Sequence, residues 1–443
     1  MTLENHISHI REQLSQQPVR SKRYGKISTV VGTIIECTGL DASVGEIYDI
    51  HTTTGKKVSA EVVGLKEKRT LLMPYGRVEG MKTGCLIESR GQTLTVPVGK
   101  HMLGRVVDAN GEPIDQMGGI VCTHHKLVHD EPPSPLEREK IDQVMKTGIR
   151  AIDGLNTLGR GQRMGLFAGS GVGKSVLMGM IARHSSADVN VIALIGERGR
   201  EVQEFLDDIL GQEGLKRSVV VAVTSDMAAM SRIKGAFTAT AIAEFFRDQG
   251  KNVLLMMDSV TRVALAQREI GLASGEPPTT RGYTPSVFSI LPKLLERAGK
   301  TSCGSITGIY TVLVENDDMN EPVADTVRSI LDGHIVLSRR LAQKNHYPAI
   351  DILQSISRVM PNIISDEQRE ICLKARELLA TYREAEELIN IGAYVKGSNP
   401  KIDEAIQKQP ALESFLLQDM NEVDFDDSLW NQLEEIVEQS TNS

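Results

Sequence analysis

The stretch Ala168-Gly169-Ser170-Gly171-Val172-Gly173-Lys174-Ser175 constrains this chain more than any other. It follows an apolar run at 164–167 and precedes a helical pattern at 176–183. Strand, glycine-rich loop and helix in that order let successive backbone N–H groups converge on phosphate oxygens at a helix N-terminus, where the dipole also favours anions. Lys174 can then reach the β- and γ-phosphates, and the Ser175 hydroxyl can ligate Mg²⁺. Gly169, Ser170, Gly171, Val172 and Gly173 supply the surrounding backbone, with Ala168 standing where the pattern has its first Gly. The competing dinucleotide fingerprint fails, because Lys174 falls where its last Gly should be. The segment predicts a nucleotide site, with ATP and Mg²⁺ as the expected ligands.

Two carboxylates belong with that loop. The run at 252–257 reads as a buried strand ending in Asp258. An Asp in that place is as often a helix cap, but with the loop upstream a role in holding the Mg²⁺ water shell is favoured. The strand at 191–195 runs into Gly196-Glu197-Arg198-Gly199-Arg200-Glu201. Glu197, just past its end, is the candidate for polarising the attacking water. On spacing alone, a solvated charged loop remains an open alternative there.

With 443 residues the chain should hold about three domains. Apolar runs at 164–168, 189–195, 219–223, 253–257 and 306–314 alternate with helical patterns, as buried parallel strands of an α/β sheet do. Residues 21–98 carry short β-rich runs between glycine turns and suggest a small barrel. Its only aromatics are Tyr24, Tyr48 and Tyr75, which favours a structural barrel over one that stacks nucleic-acid bases. A Pro-rich connector lies at 131–135, and after Pro361 the pattern becomes helical. The expected order is a helix at 1–20, a barrel at 21–98, an α/β domain at 99–365 and a helical domain at 366–443. In the first segment Leu3, Ile7, Ile10 and Leu14 form one narrow stripe, suited equally to docking on its own domain or binding a partner.

Composition narrows the function classes. Lys and Arg number 50 against 58 Asp and Glu, a net charge of −8 that argues against general nucleic-acid binding. No run reaches the 18 or so apolar residues of a membrane span, and Glu4, Arg11 and Glu12 interrupt any secretory h-region. Five scattered cysteines without a Cys-x-x-Cys pair fit a reducing, cytoplasmic setting with neither a disulfide framework nor a zinc site.

Further motifs carry a resemblance. Thr147-Gly148-Ile149-Arg150-Ala151-Ile152-Asp153, Gly159-Arg160-Gly161-Gln162-Arg163, Gly196-Glu197-Arg198 and Phe246-Arg247-Asp248-Gln249-Gly250-Lys251 resemble segments of the catalytic subunits of rotary ATPases. So do Gly104-Arg105-Val106-Val107-Asp108 and Gly111-Glu112-Pro113-Ile114-Asp115. Within that superfamily, residues 275–288 and Gly392-Ala393-Tyr394-Val395-Lys396-Gly397-Ser398-Asn399-Pro400 look like the ATPases of bacterial type III export systems, with the flagellum-specific branch expected. The likeness spans residues 20 to 410; Thr284 departs from a usual Pro. It implies a RecA-like P-loop core with a parallel sheet, preceded by a β-barrel and followed by a helical domain.

By the same resemblance, Lys174 and Ser175 bind phosphate and Mg²⁺, Glu197 is the catalytic carboxylate and Asp258 closes the metal site. Arg198 and Arg262 line the phosphate pocket, Tyr347 stacks on adenine, and Arg358 is the arginine finger a neighbouring subunit inserts. One chain with both Glu197 and Arg358 implies a homo-oligomeric ring, a hexamer in this family. Implied partners are a cytosolic regulator held through residues 1–20, an export gate, a stalk protein and substrate–chaperone complexes. The implied place is peripheral, on the inner face of the cytoplasmic membrane. Injectisome ATPases share these motifs and remain an alternative. A rotary ATP synthase catalytic subunit is disfavoured by residues 275–288 and 392–400, and a ring RNA translocase by the acidic balance.

Overall fold

The computed structural model describes residues 23–66, 69–91, 94–314, 318–422 and 428–438. The expected N-terminal helix and its partner-binding stripe lie outside them. The described chain forms two compact units, one ending at Leu94 and the other beginning at Thr95. No helix among the described residues is long and apolar enough to cross a membrane.

The first unit is a closed barrel of β1 (Tyr24–Val31), β2 (Ile34–Thr38), β3 (Ile47–His51), β4 (Lys57–Lys66), β5 (Arg69–Pro74) and β6 (Leu86–Ser89), in the order β1-β2-β5-β4-β3-β6. Its pairs are antiparallel, and β1 closes on β6. Period-two alternation sends Ile27, Ile35, Ile50, Val62, Leu72 and Ile87 inward. Tyr48 and Tyr75 are buried as well, so Tyr24 is the barrel's exposed aromatic.

The second unit opens with two small antiparallel ladders. One joins β7 (Thr95–Val98) to β9 (His124–Leu127), the other β10 (Val144–Met145) to β11 (Leu158–Gly159). Its main sheet contains β8 (Arg105–Val107), β12 (Arg163–Ala168), β13 (Val189–Ile195), β14 (Ser218–Val223), β15 (Asn252–Asp258), β17 (Ser305–Leu313), β18 (Gly333–Leu337) and β19 (Ile356–Ser357). The order is β19-β18-β12-β17-β15-β13-β14-β8, with β16 (Gly299–Lys300) pairing off β17. From β18 to β8 the neighbours are parallel; β19 runs antiparallel at the edge. Every residue of β13 is buried, as a strand covered on both faces requires. The Ala229–Arg247 helix lies close against it: a Cβ on Gly235 would come within 2.5 Å of Val223 and 3.1 Å of Ile195.

Helices Asp366–Asn390, Pro400–Leu416 and Ser428–Glu438 follow the sheet. Leu378, Leu412, Phe415, Leu429 and Leu433 join the same core as the strands. Polar ties fix this packing. The Arg150 Nε donates to the Phe415 carbonyl at 2.8 Å, and Gln418 Nε2 donates to the Gly148 carbonyl at 2.7 Å. The Gln418 N–H also donates to the Tyr347 carbonyl at 3.0 Å, so the helical region holds the loop that carries Tyr347.

One buried ion pair braces the far side. Arg297 is fully buried; its Nε donates to Glu244 Oε1 at 2.8 Å and its Nη1 to the Val128 carbonyl at 2.5 Å. Replacing Arg297 with Leu leaves Glu244 charged and unpaired in the core. The expected loss is about 3–5 kcal/mol, read as a lower urea unfolding midpoint, with much of it regained in Arg297→Leu/Glu244→Leu. Equal midpoints for the single variant and the parent would show that the pair contributes no net stability.

Candidate active site

Parallel strands bring their C-terminal ends to one edge, and the loops leaving β12, β13 and β15 meet there. The loop after β12 turns into the Lys174–His184 helix through Gly173, whose φ of +88° places it in the left-handed region. A Cβ on Gly173 would also sit 3.3 Å from the Tyr347 ring, so the loop and the aromatic are neighbours. Gly171 is left-handed too and faces open space. Val172 is different: its side chain is buried in the core, leaving only its backbone for a ligand.

The cleft above this edge has a volume of about 770 Å³. Gly169, Ser170, Gly171, Gly173, Lys174 and Ser175 line it, with Glu197, Arg198 and Arg262 from the next two strand ends. Lys174 is the hub. Its ammonium is ion-paired with Asp258 Oδ1 and lies 3.9 Å from Glu197 Oε1. Asp258 is buried and takes a second hydrogen bond on Oδ1 from the Thr311 hydroxyl at 2.8 Å. Arg198 reaches into solvent from the rim and approaches Glu201 Oε1 at 3.5 Å. Tyr347 is half exposed beside the loop.

Electrostatics separate the two glutamates. Burial pushes Glu197 up to about 7, helped by the charge of Asp258 and opposed by Lys174 and Arg262. Glu201 lies below the ordinary carboxylate range. Burial works against its ionisation, but hydrogen bonds with Glu197 and from the Arg198 N–H, and the Arg198 charge, outweigh it. One carboxyl is therefore poised to exchange a proton near neutrality while its neighbour stays charged.

The groups present fit a nucleotide with its metal. Glu197 Oε1 and Arg262 Nε are buried without a hydrogen-bond partner among the described residues, one an acceptor and one a donor on residues that line the same cleft. Unsatisfied buried polar atoms are costly, and at a cleft wall they mark where a ligand completes the bonding. The Ser175 hydroxyl and Asp258 form the oxygen set a hard cation takes.

Arg358 is elsewhere. It follows β19 at the sheet edge, is exposed, and does not line the cleft of its own chain; its Nη1 donates weakly to the Leu331 carbonyl at 3.4 Å. Three groups escaped the sequence reading. Glu201 was visible only as part of a charged loop, Arg339 gave no signal, and Thr311 was one hydroxyl in an apolar run.

Comparison with known proteins matches three segments of the chain. Residues 27–91 match the beta-barrel domain of the ATP synthase alpha/beta family, 148–357 its nucleotide-binding domain, and 364–435 the T3SS EscN ATPase C-terminal domain. A flagellum-specific ATP synthase of Bacillus subtilis is 57% identical over 405 residues, 90% of this chain and 92% of the relative. A type 3 secretion system ATPase of Xanthomonas euvesicatoria is 52% identical over 90% of each chain. The assembled ATPase EscN of enteropathogenic E. coli, solved with its central stalk EscO, superposes with a TM-score of 0.86 at 48% identity, covering 93% of this chain and all of that one. Identity of this order over barrel, nucleotide domain and helical tail together leaves one assignment: the chain belongs to the type III export ATPases, a branch of the ATP synthase alpha/beta family.

Proposed function

We propose that this chain hydrolyses ATP in a homohexameric ring that energises export of flagellar proteins, by engaging and unloading substrate–chaperone complexes. The observation that carries the reading is the meeting of Lys174, Glu197 and Asp258 at one sheet edge, where Lys174 and Glu197 line a cleft that begins at the phosphate loop and Asp258 is buried behind Lys174. The B. subtilis relative favours the flagellar over the injectisome system. EscN assembles and binds a central stalk, which supports a ring of this chain around a stalk protein. The cytosolic regulator held through residues 1–20, the export gate and a peripheral position on the cytoplasmic face of the membrane complete the proposal. Nucleic acid is not among the ligands.

In this mechanism Lys174 and the loop N–H groups hold the β- and γ-phosphates, Arg198 and Arg262 add positive charge, and Tyr347 carries the adenine. Ser175, and Asp258 through a water shell, would hold Mg²⁺, which neutralises phosphate charge when bound. Glu197 accepts a proton from the attacking water as its oxygen bonds to the γ-phosphorus and the bond to ADP breaks. The neighbour's Arg358 meets the charge that accumulates on the transferring group.

Glu197 tests the chemistry. Its raised pKa predicts that kcat/KM, which reports the free enzyme, falls about tenfold per pH unit below about 7 and levels above it. Glu197→Gln should bind ATP as tightly as the parent, lose about 10²–10⁴-fold in turnover and lose that pH dependence. A variant that fails to bind ATP would make Glu197 structural.

A further inference from the structure

We infer that Thr311 is a positioning residue for magnesium-dependent nucleotide binding: its hydroxyl sets which oxygen of Asp258 faces the metal's water shell. The inference rests on the reading of Asp258 as the metal-site carboxylate.

The sheet order makes the contact. β17 lies between β12 and β15, so it is hydrogen-bonded both to the strand that feeds the phosphate loop and to the strand that ends in Asp258. In register, Thr311 pairs with Leu166 on one side, and Tyr310 pairs with Met257 on the other, which brings Thr311 beside Asp258. Thr311 is fully buried between Tyr310 and Val312, both also buried. A hydroxyl in such a place costs stability unless it is bonded, and this one donates to Asp258 Oδ1 at 2.8 Å.

Both donors to Asp258, Thr311 and Lys174, fall on Oδ1. Oδ2 accepts no hydrogen bond among the described residues. The carboxylate is thus oriented, with one oxygen tied into the sheet and the other kept for an incoming ligand. Lys174 has three N–H donors, and the phosphates of a bound nucleotide compete with Asp258 for them. As the phosphates draw on those donors, Thr311, which has no other role at the site, keeps Oδ1 in place and preserves the orientation. A buried aspartate without it has no reason to keep either oxygen forward.

Equilibrium binding of ADP, measured with and without MgCl₂, tests this without any turnover. In the parent, Mg²⁺ should strengthen ADP binding. Thr311→Val keeps the β-branched shape the strand prefers but removes the donor. It should lose about tenfold or more of the Mg²⁺-dependent gain, the size expected for a hydrogen bond to a charged group, while its Mg²⁺-free affinity stays within about twofold of the parent. Thr311→Ser should restore the gain. A Mg²⁺ titration of Thr311→Val that overlays the parent overturns the inference. Equal weakening with and without Mg²⁺ does so too, because that is the signature of lost packing. Asp258→Asn separates the inference from its premise. If Asp258→Asn loses the Mg²⁺ gain and Thr311→Val does not, only the positioning role fails; if Asp258→Asn keeps it, the metal-site reading fails and takes Thr311 with it.

Discussion

Lys174→Ala is expected to fold and assemble like the parent and to hydrolyse ATP at least about 10³-fold more slowly, at the upper end of what removing one electrostatic stabiliser costs. Two effects act together. The ammonium lost is the charge that would meet the β- and γ-phosphates. It is also the cation between Asp258 and Glu197, ion-paired with the first and 3.9 Å from the second. Lys174 is one of the groups holding the proton affinity of Glu197 down, against burial and the Asp258 charge that raise it. Without the lysine, Glu197 therefore moves up from about 7 and is protonated at neutral pH, when it must be a base. The same shift protects the fold, because a protonated Glu197 leaves no pair of bare buried carboxylates. The two effects separate on a pH–rate profile. If the residual activity of Lys174→Ala rises well above pH 8, the base was being held protonated; if it stays flat, loss of phosphate contact dominates. Turnover like the parent's would remove Lys174 from the mechanism.

The parts of this site that the sequence made legible share one property. Each stands at the C-terminal end of a buried strand, and in a parallel sheet those ends lie along a single edge. The loop at 168–175, Glu197 and Asp258 could be gathered that way from three separate places in the chain, with no knowledge of strand order. Thr311 needed the order. Its strand comes after the other three in sequence but is inserted between β12 and β15 in space, and an apolar run reads the same wherever it is inserted. Glu201 was hidden for another reason: its link to Glu197 depends on the turn into the Gly199–Glu204 helix, where its side chain meets the Arg198 N–H. In the barrel, the scarcity of aromatics was readable from composition, but that Tyr48 and Tyr75 turn inward was not. Tyr347 and Arg358 had no local signal at all and were reached only through resemblance. The structure sets Tyr347 against Gly173 across 174 positions of sequence, a contact made by the packing of the helical tail.

Arg358 decides whether the site is completed by a second subunit. The cleft is lined from one chain by Lys174, Ser175 and Glu197, the groups proposed to bind phosphate, hold the metal and act as base, yet Arg358 lies at the β19 edge, exposed, its side chain making among the described residues a weak contact to the Leu331 carbonyl. Among the described residues its side chain has no strong partner, and it does not line its own cleft; in a closed ring it can face the next one. Arg358→Ala should then bind ATP normally and hydrolyse it about 10³-fold or more slowly. Mixing it with Lys174→Ala gives the sharper result. A subunit with intact Lys174 but no Arg358 can sit beside one with intact Arg358 but no Lys174, and one of the two interfaces they form has both groups. Activity should therefore reappear in the mixture and rise with protein concentration as rings assemble. Subunit exchange must be demonstrated with differently tagged chains, and ATP binding to Arg358→Ala must be intact. A co-assembled mixture that gives only the sum of the two residual rates would place Arg358 in cis or outside the reaction. The exposed edge after β19 would then need another explanation, and a ring would no longer be required for chemistry.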